Sequence, residues 1–416
     1  MHTRPRRSSR TRAMATISLM TALGLLLSAC GDNDDRGGDA VTGSDSSTSI
    51  PAYDGPSPSA ENPVKVGILY TDDNPIGVSP EIKDAAEAAE QYINTHGGMD
   101  GRTLEVVPCN GQNNPQSGAR CASQFVENDV VTVYGLDGVW GGVGVSVIGR
   151  AGIVNQTLPI SGPEFTSENA YPWQGSGVTA AAAAASYAAE QGGKAACVYT
   201  EVASFKEQCL HYFGDVADKL GVTWEGIPIP PTANDLAQYT TKVSGTRAST
   251  VLVISGGQVA QQLINSGAQL GFKPKWIVPS QRPDFWKAVG ANGEGVITFG
   301  DQKDANDPKD EDAALFRAVM NRYAPNAAYT AFSTMTFSNL VTLQRLAKQV
   351  GGDKITAKNM PDLLSAIKLD QFLGPELDAK KALPQYPRAV HTGAYLYKRV
   401  GDGVEPVGKG YYEVPA

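Results

Sequence analysis

Polar and aromatic residues suited to holding a small molecule collect at five places, each just after a mostly apolar run. Asp137 and Trp140 follow Val130–Tyr134, and Ser161, Gly162 and Glu164 follow Ile153–Ile160. Phe205 follows Lys194–Thr200, Gln258 follows Thr250–Ile254, and Gln281 and Arg282 follow Lys275–Pro279. The chemistry they offer is recognition. An arginine takes a carboxylate in a planar fork. Asp137 or Glu164 can accept an ammonium or an amide N–H. Aromatic faces cover a ligand body, and glycine turns that open helices present backbone N–H groups to an anion. Structural alternatives stand beside these readings: Trp140 as a plug at the sheet end, Glu164 as a surface carboxylate, Arg282 as half of a rim ion pair.

Catalytic signatures are missing. Beyond the first thirty residues the histidines are His96, His211 and His391. His96 sits beside Gly97 at a predicted helix end, where a cation suits the helix C-terminus. His211 falls inside a predicted helix and His391 in a predicted hairpin. No G-x-S-x-G elbow, HExxH or Walker loop is present. Gly141, Gly142 and Gly144 follow a strand as in a dinucleotide loop, but Val147 stands where the third glycine belongs and Trp140 crowds the turn. No CxxC or HxxxH spacing offers a metal site. The expectation is binding without catalysis, cofactor or metal.

The elements that must position these residues alternate. Val64–Tyr70, Thr103–Pro108, Val130–Tyr134 and Ile153–Ile160 read as strands, mostly apolar as in parallel sheets covered on both faces. Helices are predicted between them. One starts at Ser79-Pro80 and stops at Gly97-Gly98, and another starts at Asn114-Pro115. The pattern restarts near Trp173–Gly177 with the alanine-rich helix 177–191. Strands 194–200, 222–229, 250–254, 275–279 and 295–299 follow, alternating with helices. Long helices over 307–323 and 329–350 come next, and a hairpin split by Gly401-Asp402-Gly403 ends the chain. The class is α/β, with two doubly wound parallel-sheet units. Ligands in such sheets collect beyond the carboxyl ends of the strands.

The first 29 residues have a different purpose. Five arginines (4, 6, 7, 10 and 12) head the apolar run Met14–Ala29, which is shorter than the ~20 residues of a membrane span. This is a secretory signal, and Leu27-Ser28-Ala29-Cys30 resembles the lipobox of bacterial lipoproteins, with Cys30 carrying lipid. Residues 30–61 then form the lipidated cysteine and a tether rich in Gly, Asp, Ser and Pro. Without the signal arginines, 30 Lys and Arg face 43 Asp and Glu, a net charge of −13, which argues against nucleic acid or anionic membrane as a partner of the body. Four cysteines remain, spaced equally as Cys109/Cys121 and Cys197/Cys209. In an exported chain an even set reads as disulfides, with three connectivities open. The two local ones are preferred, because each stays within one strand–helix unit.

Several stretches together resemble the type 1 periplasmic binding proteins, in particular their branched-chain amino-acid-binding branch. They are Val64–Tyr70 with Asn94-Thr95-His96-Gly97-Gly98-Met99-Asp100-Gly101-Arg102, then Leu158-Pro159-Ile160-Ser161-Gly162, Val251–Gly257 and Gly267-Ala268-Gln269-Leu270-Gly271-Phe272. The resemblance implies the type 1 periplasmic binding protein fold: two lobes joined by three crossover segments and closing on a small-molecule ligand. Crossings near Gly175, Gly300 and Gly374 would give one lobe of 62–175 plus 302–374 and another of 176–301 plus 375–416. It also implies a monomer delivering its ligand to ABC permease subunits from the outer face of the cytoplasmic membrane, anchored by the N-terminal lipid only. A lipoprotein sensor signalling to a membrane receptor is the alternative. The sequence departs from the amino-acid binders of that branch. Asp137 and Trp140 occupy a loop usually rich in Ser and Thr, Gln281 stands where an acid is usual, and Phe205 where a tyrosine is usual. An acid, an amide or an aromatic-derived molecule therefore fits as well as leucine or valine.

Overall fold

The computed structural model describes residues 49–72, 79–279, 283–383 and 385–415. The expected signal peptide, Cys30, and two expected ligand residues, Gln281 and Arg282, lie outside the described residues. The chain divides into two units, Met1–Ser46 and the compact Ser47–Ala416, and all the described residues belong to the second.

Four parallel strands build the first lobe: β1 (Ser59–Tyr70), β2 (Arg102–Asn110), β3 (Thr132–Gly135) and β4 (Val154–Asn155), in the order β2-β1-β3-β4. β4 is shorter than the predicted strand 153–160 because Asn155, Gln156 and Thr157 are buried polar residues whose side chains bond within the lobe rather than alternate across a sheet. Gly135, at the end of β3, has φ +102°, and a Cβ there would sit 1.9 Å from the Leu69 carbonyl oxygen, so only glycine lets the two strands end together. Helix Pro115–Glu127 starts as expected: Asn114 accepts from the Gln116 and Ser117 N–H groups behind a proline at the first turn. Ser79 departs from its expected role as a cap and instead accepts the Thr71 N–H. Helices Glu81–Asn94, Glu311–Tyr323 and Ala331–Val350 share one apolar core with β1, around Ile82, Phe316 and Phe337.

The second lobe holds β5 (Lys194–Thr200), β6 (Thr223–Ile229), β7 (Thr250–Ile254), β8 (Lys275–Pro279) and β9 (Ile297–Gly300), parallel in the order β6-β5-β7-β8-β9. Two further strands, β10 (Lys368–Asp370) and β11 (Glu376–Asp378), form an antiparallel pair of their own. The closing hairpin, β12 (Gly393–Val400) and β13 (Gly403–Glu413), adds antiparallel to β9. Helices cover both faces of this sheet over two separate apolar cores. Both local disulfides form, Cys109–Cys121 and Cys197–Cys209, each tying a strand to the helix after it.

Three segments pass between the lobes. The last one falls later than the expected boundary at 374/375. The β10–β11 pairing sets Leu369 opposite Leu377, and Leu377 and Val390 both belong to the first lobe's core, so Gly374 lies in a hairpin and the crossing comes over residues 379–392. One carboxylate touches all three crossings. Asp301 accepts from the Gly175 N–H, the Ser176 N–H and the Thr179 hydroxyl at 3.1–3.2 Å. His391 Nε2 lies 3.5 Å from it on the third crossing. The bond to Ser176 holds a non-glycine residue at φ +51°, a conformation that costs about 1 kcal/mol. Burial, partly offset by Asp301, pulls the His391 imidazole below its ordinary pKa. Asp301→Asn, which turns an amide toward these N–H donors, should lower stability by about 1–3 kcal/mol. An unchanged urea midpoint would show that the knot carries no stability.

Candidate functional site

Carboxyl ends of strands from both lobes border a shared crevice. On the first lobe its floor is made rigid by the chain's own carboxylates. Asp137 is 1% exposed. It accepts from the Thr71 hydroxyl at 3.3 Å, the Asn113 N–H at 2.8 Å and the Val139 N–H at 3.0 Å, stapling the loops after β1, β2 and β3 together. Glu164 is 0% exposed. Its Oε2 takes the Ile160 N–H, the Ser161 N–H and the Ser161 hydroxyl at 2.9–3.0 Å, and its Oε1 takes the Thr157 hydroxyl at 3.2 Å. This reciprocal capping box opens the short helix Gly162–Thr166. Desolvation outweighs these four donors and pushes the Glu164 carboxyl up to about 7.

Several of the residues expected to meet a ligand are therefore placed differently. Asp137 and Glu164 are engaged by their own chain. Trp140 is fully buried, with its Nε1 donating to Asn155 Oδ1 at 2.8 Å and its ring edge-on to Phe125 at 5.9 Å. The indole plugs the lobe beneath the floor, and the helix predicted between strands 130–134 and 153–160 breaks at Gly144 where the ring packs against the backbone. Phe205 turns onto the second lobe's core, and Gln258 is a residue in the first turn of helix Gly257–Gln269 that lines neither of the two cavities between the lobes. Ser161 and Gly162 do face the crevice.

At the narrow end the crevice is a slot of about 60 Å³. Pro159–Gly162 form one wall. Ser204, Gln208 and Tyr212 form the other, and Tyr386 from the third crossing closes it. The Tyr212 and Tyr386 hydroxyls are 2.7 Å apart, Tyr212 also donates to Glu207 at 3.2 Å, and Tyr386 stacks on Phe165 at 4.4 Å. Burial, reinforced by Tyr386 and Glu207, raises the Tyr212 phenol and keeps it protonated. Gln208 and Tyr212 share a π-helical turn, Gln208–Phe213, which interrupts the regular helix expected between strands 194–200 and 222–229. Such turns re-aim side chains and recur at functional sites. The Thr200 and Ser255 hydroxyls meet at 2.5 Å where β5 and β7 end. A separate cavity of about 630 Å³ lies beside the 300–306 crossing, bounded by Trp286, Lys287, Gln302, Tyr329, Tyr397 and Arg399 among others. Among the described residues, no group of three or more His, Cys, Asp or Glu is placed to hold a metal.

Tyr212, Tyr386 and the residues of the wide cavity did not emerge from the sequence. The capping box did carry a signal, since Ser161-Gly-Pro-Glu164 is the S-x-x-E pattern of a helix start.

Known proteins resemble this chain in sequence and in structure. It is 25% identical over 282 residues to the Leu/Ile/Val-binding protein homolog 3 of Brucella melitensis, covering 64% of this chain and 74% of that protein. Its structure is similar to an extracellular ligand-binding receptor from Verminephrobacter eiseniae, with TM-score 0.70 at 17% identity over 83% of this chain and 100% of the other. It is also similar to a solute-binding protein of an ABC transporter from R. palustris in complex with 4-hydroxybenzoate, with TM-score 0.69 at 15% identity over 85% and 98% of the two chains. At such identities the structural likeness speaks for the fold. The family is shown by a model described as periplasmic binding protein that matches residues 63–391, and the chain belongs to that family.

Proposed function

We propose that this chain is the lipid-anchored solute-binding protein of an ABC importer. It takes up a small polar molecule (an amino acid, an amide or a small organic acid) between its lobes and presents it, as a monomer, to the permease. Family membership supports recognition rather than turnover as its task. The observation that carries the reading is the crevice itself: strand ends of two lobes border it, and three crossings meet beside it at one carboxylate. A slot of about 60 Å³ has room for about two waters, so a solute entering at that end requires the lobes to part and then close over it. Closure of this kind is a population shift that a permease can read.

The anchor rests on Leu27-Ser28-Ala29-Cys30 and the tether after it. No described helix is long and apolar enough to cross a membrane. Ligand chemistry is read from partners of similar proteins and from this chain's own departures. The relative is named for leucine, isoleucine and valine, whereas one structural neighbour holds 4-hydroxybenzoate. Ser161 and Gly162 offer a solute polar groups as it enters at the narrow end, and Gln281 and Arg282, which follow β8 in sequence, are proposed as further polar contacts.

A thermal-shift screen over amino acids, amides, aliphatic acids and aromatic acids tests the reading. A solute at 100 times its Kd should stabilise the protein by about 2.7 kcal/mol and raise the melting temperature by a few degrees. A flat response to the whole panel would count against capture of these solutes.

A further inference from the structure

The wide cavity, rather than the expected loops after β3 and β4, has the chemistry of the ligand seat. On the first lobe, Asp137 and Glu164 consume the backbone and hydroxyl donors that would face an incoming anion. The cavity beside the 300–306 crossing is different. Its volume of about 630 Å³ falls in the range of small-molecule sites, whereas the narrow slot does not.

Its walls are flat and aromatic. Trp286 and Tyr397 come from the second lobe and Tyr329 from the first, so a ring held here touches both lobes and the crossing between them. Its lining carries three cations, Lys287, Lys303 and Arg399, and two acids, Asp304 and Asp402. The acid Asp304 is turned onto its own loop, accepting the Asn306 N–H at 2.8 Å and side-chain amide at 3.1 Å. Lys303 is held by Asp310 at 2.6 Å. Lys287 has no carboxylate within ion-pair distance among the described residues. The Arg399 guanidinium lies over the Trp286 ring at 4.7 Å, and its carboxylate partner is the exposed Asp402 at 3.5 Å. Gln302, 7% exposed, borders the same space and its Nε2 has no hydrogen-bond partner. Flat walls, an ammonium without a carboxylate partner and an amide without an acceptor among the described residues match a ring bearing a carboxylate.

Resting on the solute-capture reading, we propose that the captured solute is a small aromatic carboxylate seated in this cavity, with its ring between Trp286 and Tyr329 and its carboxylate toward Lys287. Calorimetric titration of the full-length mature protein with 4-hydroxybenzoate tests it, with isoleucine as the aliphatic comparison. The wild type should bind 4-hydroxybenzoate. Trp286→Ala and Lys287→Gln should each weaken that binding roughly tenfold, a loss of about 1.4 kcal/mol, while the control Lys273→Gln, outside the cavity wall, should not. Circular dichroism and melting temperature confirm that the variants fold. Full affinity in both Trp286→Ala and Lys287→Gln, with binding lost in Ser161→Ala or Tyr386→Phe, would move the ligand to the narrow end and overturn the seat. Binding of isoleucine without 4-hydroxybenzoate would overturn the ligand class and leave solute capture standing. Binding of neither, together with a flat thermal-shift panel, would remove the capture reading and this one with it.

Discussion

Trp140→Ala should destabilise the protein by about 3–5 kcal/mol and leave the solute affinity of the folded protein within about twofold. The indole is 0% exposed and heads the largest fully buried side chains. It packs in one cluster with Leu69, Phe125, Val133, Val145 and Ile148, all themselves buried. Collapse into the vacated space is resisted from three sides. β1 and β3 are fixed in register, Gly135 locks their ends, and the Cys109–Cys121 bridge holds the helix that carries Phe125. Asn155 loses the indole donor but keeps the Thr157 hydroxyl at 3.3 Å, so most of the cost is cavity rather than an orphaned polar atom. Urea unfolding and calorimetric titration, made on the same preparation, separate the two readings of this residue. Unchanged stability with lost affinity would return Trp140 to the ligand's surface.

Trp140 also marks where reading the sequence runs out. The strands were legible because β-branched apolar runs such as Thr250–Ile254 are buried on both faces, whereas their order in each sheet came only with the structure. The two bridges were legible from spacing, since twelve residues join a strand to its following helix in both cases. A strand end places a residue near a crevice but does not say which way it points. That depends on packing partners far along the chain, and an aromatic after a strand can face inward as easily as outward. Tyr212 and Tyr386 meet across 174 residues of sequence, through a π-helical turn that shifts the helix face by one residue. Asp301 looks like any loop aspartate until three crossings converge on it. Glu164 was readable in part. Its capping pattern indicates a carboxylate turned to its own backbone, whereas its complete burial follows from Asn155 and Thr157 lying beneath it.

That burial gives stability a pH dependence with a definite sign. Desolvation raises the Glu164 carboxyl from 4.5 to about 7. Between those values the folded state binds the extra proton and the unfolded chain does not, so this group stabilises the fold fully below about pH 4.5 and loses that contribution as pH rises through 7. At 1.36 kcal/mol per unit, the contribution amounts to about 3 kcal/mol. The proton has a place to go. Oε2 already accepts three donors, so it adds to Oε1 and donates to the Thr157 oxygen, and the Thr157 hydroxyl turns to Asn155 Oδ1, 3.3 Å away. The capping box, and with it the wall Ile160–Gly162, keeps its shape in both forms. Glu90, also pushed up to about 7 chiefly by burial, titrates in the same direction. It is present in wild type and variant alike, so the difference between wild type and Glu164→Gln isolates the one group. Urea unfolding free energies at pH 5, 6, 7 and 8 should show the wild type losing stability relative to Glu164→Gln by about 2.5 kcal/mol across the series. A difference that stays constant with pH would mean that Glu164 is ionised as readily in the folded protein as in the unfolded chain, and that its four donors offset the desolvation in full.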